Sequence, residues 1–209
     1  MKLLIFGASG HTGRELVRQA LERGHSVTAF VRQPSKLASP HPHLRIIQGD
    51  VGDATAVRAA LPNQDAVVSA LGVGTPLKHD LTVIDGVRHI VQAMEAEGPR
   101  RLLYLSFIGV PESRGSVGVV LRYIAPIPLR EEIADHEAKE TLVRSSTLDW
   151  TIVRPPKLTN GPRTGKYRSG ENVRTWIPLP TLSRADLADF MLRELETPAH
   201  VRGTPRILH

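Results

Sequence analysis

Residues 2–13 have the sequence KLLIFGASGHTG, in which a short apolar run leads into a glycine-rich turn. The run Lys2–Phe6 predicts a buried strand, because it is apolar and a turn follows it directly. A helix is predicted over Thr12–Arg23, where apolar residues recur at helical spacing and Gly24 follows. A strand, a glycine turn and a helix in this order are typical of the first unit of a dinucleotide-binding α/β fold.

The glycine spacing of this turn suits the close approach of a pyrophosphate. Gly7 allows the tight turn, Gly10 lets the backbone come close to the phosphates, and Gly13 permits close packing of the helix on the strand. Free N–H groups at the start of the helix would bind the phosphates, and the Thr12 hydroxyl can add a contact. The alternative is a turn with a purely structural role. The spacing GxxGxxG is similar to that of the short-chain and extended dehydrogenase/reductase superfamily.

Short apolar runs alternate with longer amphipathic stretches along the rest of the chain. Further strands are predicted at Ser26–Val31, Leu44–Gln48, Ala66–Leu71, Arg101–Ser106 and Thr151–Val153, with a final edge strand at Arg206–Leu208. Helices are predicted at Ala54–Leu61, Leu81–Glu97, Arg130–Arg144 and Ser183–Glu194, the last with Ser183 as its N-cap. This alternation predicts an α/β protein with a Rossmann-type doubly wound parallel sheet, in a single domain over residues 1–209.

Two loop-rich stretches follow the fifth and sixth predicted strands, at about residues 107–128 and 155–180. The first contains Arg114, Arg122 and Tyr123. Loops at the carboxyl ends of parallel strands line the ligand crevice of a doubly wound sheet. We therefore expect the two stretches together to form the substrate pocket or its lid.

The composition disfavours several classes of protein. The chain has 209 residues and no cysteine, which removes disulfides, thiolate nucleophiles and cysteine-ligated metals. Its nine histidines show no HExxH spacing, so we assign no metal. No apolar run is as long as a membrane span or a signal-peptide core, which predicts a cytoplasmic protein without a membrane partner.

The chain carries a net charge of +6, but only 4% of its residues are aromatic. Because the basic residues are scattered and few rings are available to stack on bases, no nucleic-acid partner is predicted. A basic surface also attracts a phosphate-bearing small molecule. We expect a monomer or weak homodimer that acts on a small-molecule acceptor.

The segment after the second strand distinguishes the two nicotinamide dinucleotides. NAD sites carry an Asp or Glu about 20 residues after the glycines, which binds the ribose 2′-hydroxyl. Residues 31–36 are VRQPSK and contain no carboxylate, whereas Arg32 and Lys36 are cationic. Arg32 can pair with a 2′-phosphate and lie flat on adenine, and Ser35 can donate to the same phosphate. NADP(H) is therefore the predicted cofactor, with a solvated basic turn as the alternative.

Two further strand ends are candidates for cofactor contacts. Asp50 can accept a hydrogen bond from the adenine amino group while the Val51 backbone bonds the ring; the alternative is an Asp that caps the next turn. Leu71 and Gly72 end the fourth strand, where a small residue lets the chain pass close to the cofactor ribose. An ordinary turn is the alternative there.

No tyrosine is followed four residues later by a lysine, so the Tyr-x-x-x-Lys pair of typical short-chain dehydrogenases is absent. Alcohol–ketone chemistry by that mechanism is therefore disfavoured. Ser106, at the end of the fifth strand, is expected to orient the nicotinamide or the substrate, with a strand-end cap as the alternative. His136 and Lys139 share one helix face. His136 is a candidate proton donor or substrate contact, and a solvated face with helix salt bridges is the alternative.

An ordered set of motifs runs nearly end to end: IFGASGHTG, TAFVRQPSKL, GDV, ALG, the strand ending in Leu105-Ser106, Arg154-Pro155-Pro156 and DLADFML. The chain thereby resembles the atypical short-chain dehydrogenases/reductases of the NmrA-like NAD(P)H-binding group, and within it the biliverdin-IXβ and flavin reductase (NADPH) family. The resemblance implies a broad, shallow, apolar pocket for flavins and linear tetrapyrroles, with Ser106 near the nicotinamide. It implies cofactor contacts at Gly7, Ser9, Gly10, His11, Thr12, Gly13, Arg32, Ser35, Lys36, Asp50, Val51, Leu71, Gly72, Pro155, Pro156, Lys157 and Leu158.

Two functions of different classes fit these observations. The first is an NADPH-dependent reductase that transfers hydride to a flavin, bilin or quinone-type acceptor, with the proton delivered by solvent. The second is an NADP(H)-sensing regulatory binding protein of the NmrA type, without turnover. We expect the enzyme, because the chain lacks the large C-terminal extension typical of such regulators. A sugar-nucleotide epimerase or dehydratase is disfavoured by the missing Tyr-x-x-x-Lys pair.

Overall fold

The structure is a computed structural model that describes residues 1–37, 40–72, 81–118, 123 and 129–209. Six parallel strands form the central sheet in the order β3-β2-β1-β4-β5-β6. Their bounds are Lys2–Phe6 (β1), Ser26–Val31 (β2), Leu44–Gln48 (β3), Ala66–Ser69 (β4), Arg101–Leu105 (β5) and Asp149–Val153 (β6). The predicted single-domain Rossmann-type doubly wound fold is confirmed.

Within the described residues, five helices cover the two faces of the sheet: α1 (His11–Glu22), α2 (Ala54–Ala60), α3 (Leu81–Glu97), α4 (Arg130–Arg144) and α5 (Arg184–Glu196). Side chains along β1 alternate between the two faces of the sheet, and both faces of a buried strand must be covered. This explains why a layer of helices lies on each face. Leu3 and Ile5 pack in the core beneath α1 and α5, whereas Leu4 and Phe6 pack in the core beneath α2 and α3.

The bounds of the predicted elements shift by one to a few residues at several ends. β4 ends at Ser69 rather than Leu71, and β5 ends at Leu105 rather than Ser106. Leu71 and Ser106 therefore lie just beyond their strands, at the edge of the sheet where ligands bind in this fold. The predicted N-cap of the last helix is confirmed, because the Ser183 side chain accepts from the Asp186 N–H.

The region after β6 contains short strands that the sequence did not indicate. These strands are β7 (Lys157–Thr159), β8 (Arg168–Gly170) and β9 (Thr181–Ser183). β7 pairs with β9 in parallel, and β8 pairs in antiparallel fashion with β10 (Arg206–Leu208), the predicted final strand. Strands of three residues are too short to show an alternating pattern, which is why the sequence indicated only that 155–180 is rich in loops.

The predicted first loop is only partly within the described residues. Residues Pro111–Ser116 form a 3-10 turn, and Tyr123 is 60% exposed. Residues 119–122 and 124–128, which include Arg122, lie outside the described part of the chain. None of the helices in the described ranges has the length and apolar character needed to cross a membrane.

Candidate functional site

The glycine-rich turn joins β1 to α1 and has the geometry expected for each glycine. Gly7 has a φ of +72°, a left-handed conformation that favours glycine. A Cβ on Gly7 would stand 2.6 Å from the Ala70 carbonyl oxygen, and a Cβ on Gly13 would overlap the Gly7 carbonyl oxygen. Two of the three glycines are therefore required by the packing of the turn against β4 and α1.

Gly10 differs from Gly7 and Gly13 because none of the described residues fills the space beside it. It is exposed, and the nearest atom to a Cβ built there is the Gly7 carbonyl oxygen at 3.3 Å. Gly10 is also the N-cap of α1, and no side chain caps that helix N-terminus. Ser9 is half-buried and His11 is exposed, whereas Thr12 is buried. The open space and the uncapped N–H groups give the turn the properties of an anion site.

The predicted 2′-phosphate site lies directly after β2, next to the glycine turn. β1 and β2 pair in parallel up to Phe6 and Phe30, so both chains leave the sheet at the same edge. Arg32 is exposed, and within the described ranges its guanidinium contacts no carboxylate. Ser35 and Lys36 are also exposed, in the 3-10 turn Pro34–Lys36. The three side chains are therefore available to an anionic group.

The Asp50–Val51 pair already takes part in local hydrogen bonds. The Asp50 carboxylate accepts a hydrogen bond from the Gly52 N–H at 2.9 Å. Asp50 therefore caps the turn that follows it, which is the alternative to the adenine contact. His89 Nδ1 lies 2.9 Å from the Val51 carbonyl oxygen, and a Cβ on Gly86 would stand 2.5 Å from Val51 Cγ2. Val51 is thus held against α3, and a second oxygen of Asp50 remains for a ligand.

The end of β4 passes close to the glycine turn. Ala70 donates its N–H to the Phe6 carbonyl oxygen at 3.0 Å, and Leu71 N would lie 3.0 Å from a Cβ on Gly7. Leu71 is half-buried, and Gly72 is exposed with open space around its Cα. The structure therefore brings Leu71 and Gly72 to the same crevice as the phosphate turn.

A buried polar network begins at Ser106, just beyond β5. The Ser106 hydroxyl donates to Glu140 Oε1 at 2.6 Å, and Glu140 forms a two-point ion pair with Arg154. Arg154 Nη2 also donates to Glu112 Oε2 at 2.6 Å, and Nη1 to Ser113 Oγ at 3.3 Å. Arg154 is 1% exposed and Glu140 is 4% exposed. Charges buried this deeply are found when they are paired and hydrogen-bonded.

His136 lies beside this network on α4. Its Nδ1 is 3.4 Å from Ser106 Oγ, and its ring centroid is 5.9 Å from that of Phe107. Burial, and to a lesser degree the nearby Lys139 ammonium, lowers the pKa of His136 to about 3. The imidazole is therefore neutral near neutral pH, and it can accept a proton only weakly.

The alternative of a solvated helix face with salt bridges is contradicted by the burial of Lys139, although a salt bridge along the helix is present. Lys139 is 1% exposed, and its Nζ lies 3.9 Å from Asp135 Oδ2 on the preceding turn. Asp135 is also buried. The two charges compensate each other inside the protein, which the usual exposure of Lys and Asp does not suggest. His136 and Lys139 share a helix face as the spacing predicts, and the Lys139 ammonium is near enough to contribute to the lowered pKa of His136.

The segment matched to the nicotinamide contacts leaves β6 next to Ser106. Pro155 and Pro156 are buried, and the Ile108 N–H donates to the Pro155 carbonyl oxygen at 2.9 Å. Lys157 is exposed and Leu158 is half-buried, both in β7. This segment therefore lies over the chain that follows β5.

The described parts of the two predicted substrate loops contact each other. The Thr175 N–H donates to the Ser116 carbonyl oxygen at 3.0 Å. Val173 packs against a small core formed by Ile108, Val117 and Leu208. The residues 168–177 also line an open concavity of about 920 Å³. The concavity is bounded by Arg168, Arg174 and the exposed Trp176 rather than by Ser106.

Sequence reasoning missed Glu140 and Glu112 as parts of the site. The available signal was the position of Glu140 one helical turn after His136, together with a buried Arg154 at the end of a strand. A buried arginine requires an acceptor, but the sequence does not show which of 21 acidic residues supplies it. No group of three or more His, Asp or Glu side chains that could hold a metal is present in the described ranges.

The fold and the glycine turn together define a Rossmann-type dinucleotide-binding protein. The sequence model described as NAD(P)H-binding matches residues 7–198, and the chain therefore belongs to the NAD(P)H-binding family. The predicted NAD(P)H-binding group is confirmed by this membership, and proteins named as reductases are among those similar to the chain, in line with the predicted class, an NAD(P)H-dependent oxidoreductase.

The chain is similar to one curated protein and two solved structures as follows. The uncharacterized protein YwnB of Bacillus subtilis is 30% identical over 207 residues, which cover 96% of this chain and 94% of YwnB. SP1627 of Streptococcus pneumoniae, a proposed NADH-flavin reductase, is 25% identical with a TM-score of 0.80, covering 100% of this chain and 99% of that one. ChuY of Escherichia coli O157:H7, an anaerobillin reductase, is 22% identical with a TM-score of 0.79, covering 100% and 97%. The likeness to ChuY concerns the fold alone.

Proposed function

We propose that the protein is an NADPH-dependent reductase that transfers hydride to a flavin or bilin, with quinones as weaker acceptors. The observation that carries the proposal is the uncapped N-terminus of α1 at Gly10, with open space where a pyrophosphate would lie. NADPH, when bound, supplies the hydride. The residues of the chain would bind the cofactor, orient its ring and hold the acceptor against it.

The preference for NADPH over NADH rests on the charge at the end of β2. Arg32 and Lys36 are exposed cations, and no carboxylate occurs in residues 31–36 to bind a free ribose 2′-hydroxyl. Arginine binds phosphate oxygens through two parallel N–H groups and also stacks on a flat base. Arg32 would therefore hold the 2′-phosphate and the adenine ring, with Ser35 as an additional donor.

The charge of the predicted substrate loop favours an anionic acceptor. Residues 155–180 contain five basic residues and one acidic residue, Glu171. Glu171 is already engaged, because its Oε1 accepts from the Thr204 N–H at 2.9 Å. Arg168 and Arg174 flank the 75% exposed indole of Trp176 along the concavity. A flat ring system with carboxylate or phosphate groups, such as a bilin or FMN, fits cations beside an aromatic ring better than a neutral quinone does.

Among the described residues, neither Ser106 nor its neighbour His136 is suited to protonate the acceptor. The only hydroxyl proton of Ser106 is donated to Glu140, and His136 is neutral because its pKa is lowered to about 3 by burial and by Lys139. A reduced flavin or bilin can take its proton from water. We therefore assign the proton to solvent and give the protein the task of orienting the two rings.

The test is NADPH and NADH oxidation with FMN, FAD, biliverdin and a short-chain quinone, combined with equilibrium binding of both dinucleotides. We expect NADPH to bind more tightly than NADH and the anionic acceptors to show the higher kcat/KM. Tight binding of NADP(H) without turnover of any acceptor would instead support the sensing role. Failure of both dinucleotides to bind would contradict the cofactor assignment itself.

A further inference from the structure

The hydrogen-bond state of Ser106 is fixed by the residues behind it. A serine hydroxyl has one proton and two acceptor lone pairs. The carboxylate of Glu140 can only accept, so the 2.6 Å bond between the two side chains requires Ser106 to be the donor. The Ser106 backbone N–H is also engaged, because it donates to the Val153 carbonyl oxygen at 2.9 Å. Ser106 therefore has no proton left to offer a ligand.

Glu140 cannot readily turn away from Ser106, because Arg154 holds it at two points. Arg154 Nε donates to Oε1 at 3.0 Å and Nη2 to Oε2 at 2.5 Å. Arg154 is itself held from the other side by Glu112 and Ser113. Paired, parallel N–H···O bonds of this kind fix geometry as well as charge. Glu140, which accepts the hydrogen bond from the Ser106 hydroxyl, is thus held in a fixed position.

His136 adds to the same arrangement. Because the serine proton is directed at Glu140, a hydrogen bond across the 3.4 Å between His136 Nδ1 and Ser106 Oγ requires the proton on Nδ1. The neutral imidazole then carries its lone pair on Nε2. Ser106 Oγ and His136 Nε2 are then both hydrogen-bond acceptors, and a ligand group that binds to the serine oxygen must be a donor.

We propose that Glu140 is a positioning residue for the nicotinamide. Because Glu140 accepts the hydrogen bond from the Ser106 hydroxyl, the serine oxygen is left to accept a hydrogen bond from the N–H of the nicotinamide carboxamide. This inference rests on the proposed function. The carboxamide is the N–H donor of the nicotinamide, and Ser106 lies at the carboxyl end of β5, the edge at which ligands bind in doubly wound sheets. Fixing the carboxamide fixes the rotation of the ring, and with it the face from which hydride leaves.

A direct readout is the carboxamide signal of bound NADP⁺ labelled with ¹⁵N at the amide. In the wild-type protein we expect the amide proton resonance to shift downfield on binding. Ser106→Ala and Glu140→Ala should each remove most of that shift. Arg144→Ala is the matched control, because Arg144 lies one turn after Glu140 on α4 and is substantially exposed, and its ion pair is with Glu112 rather than with Ser106 or Glu140. It should leave the shift as in the wild type.

A kinetic readout uses a cofactor that lacks the donor. Reduced 3-acetylpyridine adenine dinucleotide phosphate carries a methyl ketone in place of the amide and cannot donate an N–H bond. Loss of one neutral hydrogen bond corresponds to roughly a two- to tenfold effect. We expect Glu140→Ala to lower kcat by about that factor with NADPH, with less than about a twofold change with the analogue. In the Ser106→Ala background, Glu140→Ala should have no further effect with NADPH.

Removing Glu140 leaves Arg154 with fewer partners, so the Ala variant can fail to fold. Glu140→Gln keeps the size of the side chain and one acceptor oxygen, and it should show a partial loss on both readouts. Ser106→Ala leaves the ion pair intact. The inference would be overturned if Glu140→Ala lowered kcat equally with NADPH and with the analogue, or if its effect persisted in the Ser106→Ala background. Neither result would contradict the proposed reductase activity. Absence of NADPH oxidation in the wild-type protein would instead contradict the proposed function.

Discussion

Arg154 and Glu140 form a buried two-point ion pair, with N···O distances of 3.0 and 2.5 Å. Arg154 comes from the end of β6 and Glu140 from the middle of α4, so the pair joins the sheet to the helix at the edge where the site lies. Because water is excluded from it, the pair contributes little net stability while it is complete, yet the loss of one partner is costly.

Arg154→Ala should therefore destabilise the protein strongly. The substitution leaves the Glu140 carboxylate buried without its cation, for which a cost of about 3–5 kcal/mol is expected. Arg144→Ala is the control, since Arg144 is substantially exposed and pairs with the same Glu112. That variant should lose at most about 1 kcal/mol. Urea unfolding followed by circular dichroism measures both, and similar losses in the two variants would contradict the assigned role of the buried pair.

Arg32→Glu should reverse the cofactor preference. The substitution replaces attraction of the 2′-phosphate by repulsion, while the carboxylate can bind the 2′-hydroxyl of NADH. A charge-assisted bond contributes about 1.5–3 kcal/mol, so NADPH affinity should fall roughly ten- to a hundredfold. Fluorescence titration with both dinucleotides provides the measurement. Arg45→Glu, an equal charge change at an exposed position of β3, should leave the ratio of the two affinities unchanged.

Gly10→Val should abolish the binding of either dinucleotide and leave the protein folded. The side chain would enter the open space beside the N-terminus of α1, which we assign to the pyrophosphate. Gly115→Val is the matched control, because Gly115 is exposed and also has open space around it. Gly13→Val, in contrast, should unfold the protein, since a Cβ there overlaps the Gly7 carbonyl oxygen. Tight dinucleotide binding by Gly10→Val would mean that the turn is structural only.

The pKa of His136 gives a pH dependence with a defined sign. Burial and Lys139 lower the pKa of His136 to about 3, from 6.5 in the unfolded chain. Between these values the unfolded chain binds more protons, so the contribution of His136 to stability is present above pH 6.5 and is lost as pH falls towards 3. The slope should not exceed about 1.4 kcal/mol per pH unit.

The comparison of His136→Asn with the wild type isolates this contribution. Urea unfolding at pH 4.5, 5.5 and 6.5 should show a shallower dependence of the free energy of unfolding on pH in the variant than in the wild type. In kinetic assays, His136→Ala should retain substantial activity with a flavin, because we assign the proton to solvent. Complete loss of turnover would instead make His136 the proton donor.

Local features of the site could be predicted from the sequence, because their causes are local. The roles of Gly7 and Gly13 follow from a turn seven residues long, and the cations after β2 follow from residues 31–36 alone. The parallel, doubly wound sheet also follows from the alternation of strands and helices, since few arrangements of such units are compatible with right-handed crossovers.

The buried network could not be predicted, because it joins residues that are distant in sequence. Ser106 and Glu140 are 34 positions apart, and only the packing of α4 against the end of β5 brings them together. The burial of Lys139 was missed for a related reason. A charged residue on a helix is normally assigned to the surface, and its compensation by Asp135 is visible only in three dimensions.

The basic segment after β6 predicts a discrimination between acceptors. Arg168→Gln and Arg174→Gln should each raise the KM for FMN several-fold, whereas the KM for a neutral quinone should stay within about twofold, because only FMN carries a charge for these guanidinium groups to attract. The effect on FMN should shrink as ionic strength rises, since exposed charges are screened over about 10 Å at 0.1 M salt. Arg184→Gln is the control, because this half-buried arginine donates to Asn160 Oδ1 and lies outside the concavity. Steady-state kinetics at 20 and 200 mM salt, about a tenfold range, would distinguish an effect of charge on FMN binding from an effect on the shape of the loop. Equal changes for FMN and the quinone would show that the two arginines act on the shape of the loop rather than on the charge of the acceptor.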